Sequence, residues 1–198
     1  MSEVDTDAQE QEAPSIESLV EMLGSPRRRL RQEASHQLAI VAKDDPEMLG
    51  DFVGQLVEAL TVDEAQTRWE VLDALAELAM VDVGDVGGAC EPAEISLFDE
   101  SSSAARLAAF KFLARYGERS AELSDQVWDI MDEAIQCYHG DPEYRDMLTC
   151  LLEFVRGDIS DETRDALVAR VAFDAENGRG YIKSYSAQIV ELAQGEDA

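Results

Sequence analysis

Arg68-Trp69-Glu70-Val71-Leu72-Asp73-Ala74-Leu75-Ala76-Glu77-Leu78 is the stretch on which the fold turns. Counting from Arg68, apolar residues stand three, seven and ten positions on, at Val71, Leu75 and Leu78. A helix turns by about 100° per residue, so these offsets draw one stripe along one side of it. The same marks recur at Arg31, Ala34, Leu38, Val41 and at Arg106, Ala109, Leu113, Tyr116. Two further copies follow, Arg145, Leu148, Leu152, Val155 and the weaker Lys183, Ser186, Val190, Ala193. The basic residues that open the five copies are 37, 38, 39 and 38 positions apart, which chance does not sustain.

Upstream of each stripe lies a second apolar pattern. Eight residues before each basic position stand Leu23, Leu60, Phe98, Cys137 and Ala175, preceded at helical spacing by residues such as Ile16, Leu19, Val20 and Val53, Leu56, Val57. Each unit therefore reads as a first helix (A), a short turn and a second helix (B). In the turns, Gly24-Ser25-Pro26 offers Ser25 as an N-cap and Pro26 as the first helical residue. Asp45-Pro46, Asp141-Pro142 and Ser101-Ser102-Ser103 punctuate later units in the same way. Alternating β-branched runs with hairpin turns are missing. The expectation is one domain over 15–194, in units of about 15–43, 46–81, 83–117, 120–156 and 158–194, behind a disordered acidic tail at 1–14.

A two-helix unit of 37 to 39 residues resembles the HEAT family within the armadillo-like class, over roughly residues 15 to 194. The resemblance implies an all-α, right-handed α-α superhelix, a HEAT-like solenoid of about five helical hairpins. In such solenoids the A helices form the outer, convex layer and the B helices the concave one. An Arg near the start of helix B, paired with an acid of the preceding turn, recurs in the family. Arg31, Arg68 and Arg106 match it, with Asp63 and Glu100 as candidate acids and Ser25 in the acid's place in the first unit. Two regions depart from the pattern. Val83-Gly84-Asp85-Val86-Gly87-Gly88-Ala89-Cys90-Glu91-Pro92 predicts a shortened helix A that begins near Pro92, with a hinge between the second and third units as the functional alternative. The last unit, with Gly178-Arg179-Gly180 as its turn and a polar B helix, reads as a solvent-facing cap.

Charge narrows the partners. The chain carries 43 acids against 16 bases, a formal net charge of -27, spread along its length. Such a surface repels nucleic-acid phosphates and anionic membranes and favours a basic protein or peptide; the even spread of the acids equally fits a proteome-wide habit of acidic composition, which selects no particular partner. The one basic cluster, Arg27-Arg28-Arg29-Leu30-Arg31, is the alternative as a nucleic-acid contact; met by the acidic tail, it would be the exposed first turn of a B helix. The acidic N-terminus has neither the basic start nor the apolar run of a signal peptide, and no apolar segment has membrane-spanning length, so a cytoplasmic location with reduced thiols is expected.

Catalytic chemistry finds little to use. His36 and His139 are the only histidines. Cys137, His139 and Cys150 follow no zinc spacing, and the repeat frame expects Cys137 at the buried end of helix A and Cys150 on the outside of helix B. Ser35 and His36 are adjacent on a helix and so point about 100° apart, which is no nucleophile–base pair. No catalytic residue, cofactor or metal site is expected.

If offsets zero, three, seven and ten face the core, then one, five and eight face away. That ridge reads Gln32, His36, Ala39; Trp69, Asp73, Ala76; Leu107, Lys111, Ala114; Asp146, Cys150, Glu153; and Ser184, Gln188, Glu191. His36, Trp69, Asp73, Leu107, Lys111 and Cys150 are the expected partner contacts, with Trp69 and Leu107 as apolar anchors on an otherwise polar face. The alanines leave the ridge shallow, as a groove for an extended peptide or a helix requires.

Overall fold

The computed structural model describes residues 14–195, over which the chain is built of ten α-helices with no strand. They follow one another as A and B helices: α1 (Ile16–Leu23) and α2 (Arg28–Asp44), α3 (Val53–Ala59) and α4 (Ala65–Val81), α5 (Cys90–Leu97) and α6 (Ser103–Gly117), α7 (Ala121–Cys137) and α8 (Tyr144–Phe154), α9 (Asp161–Asn177) and α10 (Gly180–Ala193). The acidic tail expected at 1–14 lies outside the described residues, save Pro14.

Serine hydroxyls start four of the helices. Ser15, Ser102, Ser120 and Ser160 each accept the backbone N–H three residues on, at 2.9–3.3 Å. Each such cap satisfies a donor that the first turn leaves without a partner, worth about 1 kcal/mol. Ser25 does not cap as expected: its Oγ accepts from Arg27 N at 3.2 Å, and α2 starts at Arg28, past Pro26.

The B helices stack in order, α2 on α4, α4 on α6, α6 on α8 and α8 on α10. The A helices form a second row through α1 on α3, α5 on α7 and α7 on α9. Between the rows runs one core. Leu38, Leu75, Leu113 and Leu148, each at offset seven or three of its stripe, are fully buried there. Burial of such a side chain contributes about 1.5–3 kcal/mol, so the repeated stripe supplies much of the driving force. The end units are barer: Arg145 and Lys183, the last two openers, are exposed.

Arg31, Arg68 and Arg106 do meet carboxylates, but those of the following unit rather than of the preceding turn. Arg31 pairs with Glu64, Arg68 with Asp99, and Arg106 with Glu143. The preceding turn contributes a backbone carbonyl instead, since Arg31 Nη1 donates to Ser25 O at 2.7 Å and Arg106 Nη1 to Asp99 O at 3.1 Å. The guanidinium has donors in a fork and can reach both turns at once, which a single-point cation cannot. Asp63 and Glu100 are not the pairing acids. The ladder ends at Arg145, which meets the Tyr185 phenol.

Cys137 is exposed, not buried. The residue that follows the A helix is Leu60 after α3, Phe98 after α5 and Tyr138 after α7, so the structural match of Leu60 and Phe98 is Tyr138, seven rather than eight residues before its basic opener. Tyr138 takes the inner position, with its hydroxyl donating to Leu97 O at 3.0 Å and its ring beneath Arg106.

The glycine-rich stretch folds as a short 3-10 turn, Val86–Ala89, running into α5 at Cys90, with Pro92 in the first helical turn. Val86 and Ala89 are buried. Gly84 has φ +70°, and a side chain there would meet Val53 Cγ2 at 2.5 Å and Gly50 O at 3.0 Å. The glycine answers a close approach to the preceding unit, while α4 packs on α6 alongside it.

Candidate functional site

The outer side of the B row carries two adjoining cavities. One, of about 290 Å³, lies over α2, α4 and α6 and is lined by His36, Ala39, Trp69, Asp73, Glu77 and Lys111, among others. The second, of about 270 Å³, lies between α6 and α8, where Leu107, Lys111, Ala114, Arg115, Glu118, Asp146, Cys150 and Glu153 face it. Lys111 borders both, and the two cavities taken together make a pair of depressions, a groove in outline, along the B helices of four units.

All six side chains expected from the ridge, His36, Trp69, Asp73, Leu107, Lys111 and Cys150, line this groove. Trp69 and Leu107 are half-buried, each packed partly on the core and partly open to the cavity. Cys150 lies on the outer side of α8 as expected but is half-buried there, and burial pushes its thiol up to about 12, which disfavours the thiolate. Ala76 departs from the ridge: it is fully buried, because α4 is flanked by B helices on both sides. Ser184, Gln188 and Glu191 on α10 are exposed and line neither cavity.

Electrostatics divide the groove. On the α4 side the charges are matched: Lys111 Nζ reaches Asp73 at 3.0 Å and Glu77 at 3.3 Å, and Arg115 Nη1 meets Glu77 at 2.5 Å. Near α2, Glu70 is nearly buried and accepts from Ser35 Oγ at 2.7 Å on one oxygen, with His36 Nδ1 3.1 Å from the other. Ser35 and His36 thus share a carboxylate and do not bond each other. On the α8 side, Glu118, Asp146 and Glu153 have no ion-pair partner among the described residues. Burial, with the neighbouring Glu153 charge, raises the Glu118 carboxyl to about 7 against the opposing pull of Arg115.

Glu118 and Lys43 were not on the expected ridge, yet the same arithmetic reaches them. Offset twelve continues one, five and eight by one more turn, and falls at Lys43, Met80 and Glu118. Glu77 and Arg115 share offset nine and pair with each other. The role of Glu70 had no such signal, since its partners come from the neighbouring unit.

The basic cluster separates in the same way. Arg27, Arg28 and Arg29 are exposed at the start of α2, whereas Arg31 is held by Glu64. None of the four lines the groove. Among the described residues no three His, Cys, Asp or Glu side chains converge as metal ligands, and no helix is long and apolar enough to cross a membrane.

No family model matches the chain, and a search of curated proteins finds no match. Solved structures do match. A designed armadillo repeat protein superposes with TM-score 0.72 at 13% identity, covering 90% of this chain and 82% of its own. Another, in complex with the peptide (KR)4, superposes with TM-score 0.73 at 14% identity, covering 90% of this chain and 81% of its own. An engineered protein gives TM-score 0.72 at 19% identity, covering 91% and 79%. At these identities the likeness is one of fold. In fold the chain is an all-α helical-repeat solenoid, similar to designed armadillo repeat proteins.

Proposed function

We propose that the chain is a non-catalytic scaffold that holds a protein segment or peptide along the groove of its B helices. The observation that carries this reading is that His36, Trp69, Asp73, Leu107, Lys111 and Cys150, from four successive units, line two cavities that share Lys111 on one side of the B helices. Trp69 and Leu107 supply apolar contact, and the charged residues around them supply orientation and register. A designed armadillo repeat protein of similar fold is in complex with the peptide (KR)4, which supports a peptide as the occupant. Six carboxylates line the groove, Glu70, Asp73, Glu77, Glu118, Asp146 and Glu153, against the cations Lys43, Lys111 and Arg115, so the favoured partner is basic.

The test is selection of peptides from a displayed library on the intact protein, followed by titration against a Trp69→Ala, Leu107→Ala variant whose helicity is checked by circular dichroism. Loss of binding in the folded variant supports the groove. Retained binding shifts attention to other faces. Duplex DNA bound in proportion to Arg27, Arg28 and Arg29, with peptides bound by neither protein, would favour the nucleic-acid alternative.

A further inference from the structure

The cavity between α6 and α8 differs from its neighbour in one respect: its carboxylates are unmatched. Lys111 and Arg115 stand in its wall, but both are drawn to Asp73 and Glu77 on α4. Glu118, at the end of α6, and Glu153, on α8, both border the cavity and form no ion pair among the described residues, Arg115 acting on Glu118 only as a neighbouring charge. Glu118 Oε2 is covered and accepts no hydrogen bond. A covered, unpartnered carboxylate oxygen beside a second carboxylate costs stability, and a fold keeps such a pair more readily where something else completes it. The rest of the wall is apolar or small: Leu107, Ala114 and the Cys150 thiol. From Leu107 to Glu118 is eleven residues of helix, about 16 Å, so the apolar wall leads along the helices to the carboxylates.

We infer that this cavity seats a lysine side chain of the partner, its methylene stem along Ala114 and Cys150 and its ammonium between the Glu118 and Glu153 carboxylates, with Leu107 further along the wall left to a neighbouring partner residue. The inference rests on the groove reading above and names the chemistry of its occupant. A lysine suits the site better than an arginine. The carboxylates border one cavity from two different helices, an arrangement that suits a compact ammonium with three rotatable donors, whereas a planar guanidinium is matched by the two oxygens of one carboxylate. The stem buries against apolar wall while the charge reaches the acids. Seating the ammonium favours the ionised form of Glu118, so binding below neutral pH releases a proton from it. The charged groups around Glu118 are Glu153 and Asp146 on α8, Arg115 and Lys111 on α6, and Glu77 on α4 behind Arg115.

The experiment is calorimetric titration of the intact protein with octalysine and, as a charge-matched control, octa-arginine. Variants are Glu118→Gln, Glu153→Gln, and Glu133→Gln, which removes the same charge from an exposed position on α7. The seat requires octalysine to bind about tenfold more tightly than octa-arginine, and each groove variant to lose about five- to tenfold while Glu133→Gln stays within about twofold. Octalysine affinity should also fall between about pH 8 and about pH 6, with proton release that disappears in Glu118→Gln. Equal affinity for the two peptides, or equal losses in all three variants, means that net charge alone acts and overturns the inference. Trp69 lies outside this cavity, so Trp69→Ala separates the two readings. Loss in Trp69→Ala with none in Glu118→Gln overturns the seat and leaves the groove, and the converse supports the seat while counting against a groove that extends to α4.

Discussion

Arg106 ties the third repeat to the fourth through Glu143: its Nε donates to Glu143 Oε1 at 2.7 Å, with both side chains largely buried. Because Arg106 Nη1 also holds the Asp99 carbonyl, one side chain fastens the turn of its own unit and that of the next. Asp99 in turn accepts Arg68 from the unit before. The ladder runs one way along the stack, each rung set by the neighbour that follows.

Removing one member of such a pair leaves the other buried and uncompensated. Arg106→Met should destabilise the chain by about 3–5 kcal/mol, because the Glu143 carboxylate is then left in the interior. Arg145→Met, at the exposed end of the ladder, should leave stability nearly unchanged. Urea unfolding followed by circular dichroism gives both values. Equal costs would mean that the rungs act as surface charges.

Two glycines should respond with opposite sign. A Cβ at Gly117 would lie 2.6 Å from Val127 Cγ2 and 3.0 Å from Phe154 Cε2, so Gly117→Ala forces the core of the third and fourth units apart at about 1–3 kcal/mol. Gly54, within α3, has nothing within 4 Å of that position. There Gly54→Ala should stabilise by about 0.5–1 kcal/mol, through helix propensity and a less free unfolded chain. Thermal melts of the two variants check the pair of signs.

Acid and neutral pH act on different groups. The Asp99 carboxyl is held near 2 by the Ser101 hydroxyl and backbone N–H and by Arg68. A lowered folded value gives stability that is present above the ordinary carboxylate range and lost as pH falls from about 4 towards 2. Glu118 has the opposite sign. Its folded value, about 7, lies above the unfolded one, so the folded state holds the proton more tightly. Stability should therefore decline as pH rises from about 4.5 to about 7 and then level off. Glu118→Gln should abolish that decline and be the more stable protein at about pH 8, whereas Asp99→Asn should flatten the acid limb alone. Unfolding midpoints measured across pH test the assignment.

The fold was legible because the repeat is carried by many small, similar choices. Offsets three, seven and ten from each basic residue marked the buried stripe in the central units, where Val71, Leu75 and Leu78 or Ala109, Leu113 and Tyr116 all lie inside. The first errors came where a single residue changes the register, as at Cys137 and Tyr138. The second came where a partner sits in another unit: the acids of the arginine ladder, and Glu70 between Ser35 and His36, depend on how units stack and not on local spacing. The ridge arithmetic placed six side chains along the groove, but it could not see that Ala76 is covered on both flanks. Nor could it see that the groove charges are matched beside α4 and unmatched beside α8, since that follows from the direction in which Lys111 and Arg115 lean.

The most direct test of the account is the affinity of a library-selected peptide for the intact protein and for the Trp69→Ala, Leu107→Ala variant, measured by fluorescence anisotropy with both proteins equally folded. A groove along the B helices predicts a loss of at least about tenfold, the cost of two truncated anchors. An unchanged affinity in a folded double variant would contradict it and remove the B-helix face as the binding surface.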